Sequence, residues 1–183
     1  VETRRAFGFL FACVAVAVFS GAILSEVAYL NGAPVFYYAI IWLASFGVVF
    51  GGAFPKLRTV IPSIRGRMKT SARWSTPAKS LNAVSWAGPF IAIPVFPMLY
   101  QYLILAGIGL GNMSTYLLIK KYSGSDNREQ LIVAVVSLVS LPVAIAIDNM
   151  IFANSQDIAV MLSRIMIASA YAAGGLFAFM RSK

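Results

Sequence analysis

Long apolar runs separated by short polar clusters dominate the chain and set its expected elements. Stretches with few or no charges cover 6–30, 35–54, 84–119, 130–152 and 157–180. About 20 apolar residues in a helix cross a hydrocarbon core of roughly 30 Å, so four of these stretches each read as one span. The fifth, 84–119, is too long for one crossing and long enough for two. Its most polar point near the middle is Tyr100-Gln101, which divides it into spans 84–100 and 101–119 joined by a tight turn. Pro89, Pro94 and Pro97 interrupt the first of these. The competing description is a re-entrant segment, which would need shielding by protein. The run behind Arg4-Arg5 exceeds the 7–15 residues of a secretory signal core and reads as a retained span.

The polar connections fix the expected orientation. Residues 55–82 carry Lys56, Arg58, Arg65, Arg67, Lys69, Arg73 and Lys79 with no Asp or Glu. A segment so basic between apolar runs is expected to be a cytoplasmic loop. Pro55 is expected to close the second span, and Pro62, Pro77 and Gly66 argue against a continuous helix through the loop. The stretch is expected to be an ordered, solvated loop; the alternative is that residues 63–74 lie along the membrane surface with Trp74 at headgroup level. Two crossings within 84–119 return Lys120 and Lys121 to the side of the basic loop, whereas a single crossing would place them outside. Every Lys and Arg except Arg164 then falls on one side. The expected fold is an all-α integral membrane protein, a single domain over 1–183. Its six transmembrane helices form three hairpins with both termini cytoplasmic.

Composition agrees with this pattern. The chain is 60% hydrophobic and 11% charged, with a mean hydropathy of +0.80, against about 25% charged in a soluble domain. A net charge of +9 would draw a soluble protein to nucleic acid. Here the basic residues sit in the gaps between apolar runs, so anionic lipid headgroups are the expected partner of the 55–82 loop and nucleic acid is not. There is one cysteine, Cys13, and no histidine. An internal disulfide, imidazole-ligated haem or metal, and histidine acid–base chemistry are therefore excluded. No P-loop, G-x-S-x-G, H-E-x-x-H or C-x-x-C pattern occurs, and neither catalysis nor a cofactor or metal is expected.

Candidate chemistry lies in polar groups inside spans, because burying them there is costly. They are Glu26, Asn112, Asp148, Asn149 and Arg164. Asp148 precedes and Arg164 follows the expected turn near Ser155. At about 1.5 Å rise per residue they stand within about 3 Å of the same depth, which predicts an intramembrane ion pair. It would act either as helix–helix glue or as a gate or binding site. Glu26, Asn149 and Asp157 stand near the same end and predict an outer polar vestibule. Gly47 to Gly51 and Gly107 to Gly111 carry the G-x-x-x-G spacing of close helix packing.

Sparse intramembrane chemistry and glycine-rich faces lead to the expected function, a non-catalytic subunit packed against other subunits of a larger membrane complex. The alternative is a small-solute transporter, channel or substrate-capture component, favoured by the polar outer third. Either way a multi-pass membrane location is expected, the plasma membrane if the source is prokaryotic.

Overall fold

The computed structural model describes residues 2–68 and 74–181. Six helices follow in order: α1 (Glu2–Leu30), α2 (Phe36–Met68), α3 (Thr76–Ala92), α4 (Tyr100–Ser123), α5 (Arg128–Ala146) and α6 (Gln156–Met180). Five stretches, Arg4–Leu30, Phe36–Pro62, Pro97–Ser123, Arg128–Ile151 and Gln156–Met180, are long and apolar enough to cross a bilayer. α3, with 17 residues, is shorter. Helices suit such sequences because hydrocarbon offers backbone amides no partner outside the segment itself. Each helix also turns large apolar side chains outward: Phe19, Leu43, Leu81, Leu110, Val139 and Leu176 are all exposed. In water that surface would be a liability, and in lipid it costs little.

Three boundaries depart from the sequence expectation. α2 does not stop at Pro55 but continues through Pro55 and Pro62 to Met68. Both prolines face outward, Gly51 and Gly52 one turn upstream present no side chain to the Pro55 ring, and Thr59 Oγ1 donates to the Lys56 carbonyl at 2.7 Å. α3 begins eight residues ahead of the expected span, at Thr76. Ser75 caps it, its Oγ accepting from the Ala78 amide, and Pro77 occupies the first turn, where a missing N–H is harmless. The break between α3 and α4 precedes Tyr100-Gln101. It runs through 93–96 into a 3₁₀ turn, Pro97–Leu99, so Tyr100 and Gln101 open α4 instead of forming the turn.

Two further local features matter for the site. α5 passes Pro142 and ends in a single π turn, Ile147–Ile151, closed by Phe152 N–H donating to the Ile147 carbonyl at 2.8 Å. Such turns commonly re-aim side chains at functional positions. Trp74 is packed inside the protein. It is buried with Ala78, Leu118 and Ile119, and Tyr122 packs beside it.

Neighbouring helices form the row α2–α1–α6–α5–α4–α3. α1 and α6 approach at backbone level, where a Cβ on Gly175 would stand 3.1 Å from the Gly8 carbonyl, and α5 presses on α6, where a Cβ on Gly174 would stand only 2.5 Å from the Val133 side chain. Glycine is what allows these crossings. Phe11 meets Tyr171 edge-on at 5.5 Å, a contact worth about 0.5–1.5 kcal/mol beyond its area. α2 and α3 stand at opposite ends of the row, yet it curls enough for Ile64 of α2 and Trp86 of α3 to line one cavity.

Candidate functional site

Two cavities lie toward opposite ends of the helices, along their axes. The basic end holds Arg4, Lys56, Lys120, Arg128 and Arg181, and the far end holds the turns 31–35, 93–99 and 152–155. The far-end cavity has a volume of about 420 Å³. α1 contributes Ser25, Glu26 and Tyr29, α6 contributes Asp157 and Arg164, and α4 contributes Tyr100 and Gln101. Glu26 and Asp157 stand side by side, and Arg164 is within Coulombic reach of Glu26. None of the three pairs with another as a salt bridge among the described residues.

Arg164 is held by aromatic groups. Its Nη2 donates to Tyr100 OH at 3.5 Å, and its guanidinium carbon lies 5.6 Å from the Trp42 ring centroid, within cation–π range. Trp42 lies against Gly21, where a Cβ would stand 2.7 Å from the indole. The absence of a side chain at Gly21 is thus what lets α2 deliver this ring.

Asp148 and Arg164 share an end of the molecule but take separate partners. Asp148 Oδ2 accepts from Gln101 Nε2 at 3.0 Å and from Tyr102 OH. Both partners come from α4, and Gln101 is only 3% exposed. The π turn directs Asp148 to the groove between α4 and α5, which Asn149 also lines. Asn149 Nδ2 donates to its own helix at the Ile145 carbonyl, 2.8 Å away. Of the expected vestibule residues, Glu26 and Asp157 therefore meet, and Asn149 lies elsewhere.

The basic-end cavity, about 470 Å³, draws on all six helices. Aromatic walls come from Phe7, Phe11, Trp74, Trp86 and Tyr171, and hydrogen-bonding groups from Asn82, Asn112, Thr115 and Gln130. Among the described residues no charged side chain lines it. Asn82 Oδ1 accepts from Ser114 and Thr115 hydroxyls at 2.9 Å each, and Trp86 Nε1 donates to Thr115 Oγ1 at 3.1 Å. The volumes of both cavities lie within the range of small-molecule sites.

A closed apolar layer separates the two. Along one face of α4 the residues run Gln101, Leu105, Ile108 and Asn112, from the far cavity through the core to the basic-end cavity. On α6 the same progression is Arg164, Ile167 and Tyr171, and on α1 it is Ser25, Val18 and Val14. The layer is about 10–16 Å thick at 1.5 Å per residue. Ser25 Oγ in the far cavity wall and Trp74 Nε1 in the other are buried polar atoms with no hydrogen-bond partner among the described residues.

Of the basic stretch, Lys56 lies 4.8 Å above the Phe9 ring, while Arg58, Arg65 and Lys79 are exposed. Arg67 lies in α2, and Lys69 and Arg73 fall outside the described residues. Sequence reading missed Tyr100, Trp42 and the basic-end cavity. Asn82 lies in the first turns of α3, within the stretch expected to be loop, and Trp86 lies in the expected third span, where nothing in the apolar run marks it as facing a cavity. No family model matches the chain, and neither a curated protein nor a solved structure is found to be similar to it.

Proposed function

We propose that this chain is a small-solute carrier or substrate-capture component with six membrane crossings. Both termini and the basic end would face the cytoplasm, and the far-end cavity would face outward. The observation that supports this best is the pair of cavities separated by an apolar layer along shared faces of α1, α4 and α6. A solute captured among charged groups on one side would reach the neutral amides of the other when Val18, Leu105, Ile108 and Ile167 part. Exposed Arg58, Arg65 and Lys79 would meet anionic headgroups at the cytoplasmic face.

Opening the layer artificially tests the reading. In proteoliposomes, Leu105→Ser should admit small polar osmolytes such as urea and glycine, read as osmotic swelling, while the parent protein stays tight. Equal tightness in a folded Leu105→Ser variant would count against a path between the cavities.

A second reading, a non-catalytic subunit of a membrane complex, rests on α2. Only 6% of its apolar window is buried, against 50% for α1. A Cβ at Gly47, Gly51 or Gly52 would meet nothing within 4 Å. Native mass spectrometry after gentle extraction separates the two readings. A lone chain or homo-oligomer carrying a small bound mass favours the carrier, and stoichiometric protein partners favour the subunit.

A further inference from the structure

We infer that the far-end cavity recognises a small zwitterion, one molecule bearing an ammonium and a carboxylate, and fits an α-amino acid with a bulky apolar side chain. The inference rests on the carrier reading and names its solute class. It starts from an electrostatic oddity. At membrane depth a charged side chain is expensive unless an opposite charge or a dipole answers it. Here both signs line one cavity, yet the Arg164 guanidinium makes no salt bridge with Glu26 or Asp157. Tyr100 and Trp42 hold the guanidinium by its edge and face, and, although Glu26 is within Coulombic reach, among the described residues no carboxylate oxygen stands within salt-bridge distance of it. A solute carboxylate would complete it through paired N–H donors.

The carboxyl groups of Glu26 and Asp157 pose the complementary demand. Side by side on adjacent helices, they favour a positive charge between or above them. Among the described residues no three of Asp, Glu, Cys or His gather into a metal-holding group, so an organic ammonium suits this pair better than a multivalent metal ion. Asp157 and Arg164 stand two turns apart on α6 and line the same cavity. The two recognition poles thus have separate positions, as a molecule with two charged ends requires. Ser25 Oγ, buried at 1% exposure and without a partner among the described residues, adds a hydrogen-bonding group to the same wall. Tyr29, Tyr38 and Met98 complete a volume of about 420 Å³, room for a large side chain beyond the backbone atoms.

The test uses the full chain in nanodiscs and three series of probes. These are L-phenylalanine and L-methionine, their primary amides, which keep only the positive charge, and their deaminated acids, which keep only the negative. Equilibrium binding should favour each zwitterion over both analogues by about tenfold or more, the discrimination of one charge-assisted contact. Arg164→Met should erase the preference of zwitterion over amide. Equal binding of amide and zwitterion, or no binding of either amino acid to the parent chain, would overturn the inference. A neutral or singly charged molecule found bound by mass spectrometry would leave the carrier reading standing and remove the zwitterion. No bound molecule, together with stoichiometric protein partners, would remove both.

Discussion

Asp148 is answered by hydrogen bonds where an ion pair was expected. Gln101 and Tyr102 both donate to one carboxylate oxygen, so the residue joins the π turn after α5 to the first turn of α4. Its side chain can lose charge more cheaply than it can lose its acceptor. Asp148→Asn keeps an oxygen for one donor, whereas Asp148→Ala orphans the amide of Gln101 in a site 3% exposed. The alanine variant should lose about 1–3 kcal/mol of stability and the asparagine variant clearly less, measured by unfolding in detergent. Equal losses in the two would show that the contacts to α4 are not what Asp148 contributes. Depth along the chain was readable in advance, since Asp148 and Arg164 do lie toward one end. Azimuth was not, because the π turn rotates Asp148 toward α4 and Trp42 draws Arg164 toward α2.

The two G-x-x-x-G stretches look alike in sequence and serve differently as helix faces. On α4, Phe90 lies against Gly107, Trp86 against Gly111, and Leu138 of α5 against Gly109. The motif accommodates rings of α3 there, a use beyond backbone crossing. Trp86 cannot retreat freely, since its indole N–H is bonded to Thr115. Gly111→Ala should therefore push α3 off α4, costing about 1–3 kcal/mol as overpacking does and shifting tryptophan emission to the red. Gly51→Ala meets open space and should leave the purified chain unchanged in both readouts. A Gly111→Ala protein of parental stability and emission would mean that the α3–α4 seam is looser than it stands here. The apolar runs foretold most helices because lipid leaves the backbone little alternative. The extension of α2 past its prolines was not legible because Pro55 and Pro62 read as helix breakers, whereas both face outward and glycines stand one turn before Pro55. The start of α3 was written in Ser75-Thr76-Pro77, a capping signal masked by the surrounding charge.

At the scale of the molecule, the arrangement of ends carries a topology that labelling can check. In a Cys13→Ala background, single cysteines at Val95 and Asn154 should react with an impermeant maleimide from outside intact cells. One at Lys121 should react only after permeabilisation. Protection of Val95 alongside labelling of Asn154 would rule out a full crossing by α3. The helix row itself could not be read from the sequence, because hairpins give only consecutive neighbours. The contact of α1 with α6 depends on Gly8 and Gly175, two glycines among 14. That contact has a consequence for biosynthesis. α1 enters the membrane with the surface around Gly8 and Phe11 exposed, and its main partner begins only at Gln156. At about 5–20 residues per second the ribosome needs on the order of ten seconds to supply it. During that interval α1 and α2 form an isolated pair with an unfilled flank, open to the insertion machinery, to lipid or to a wrong helix. Quality control in the cell would thus act on the half-made bundle more than on the finished one.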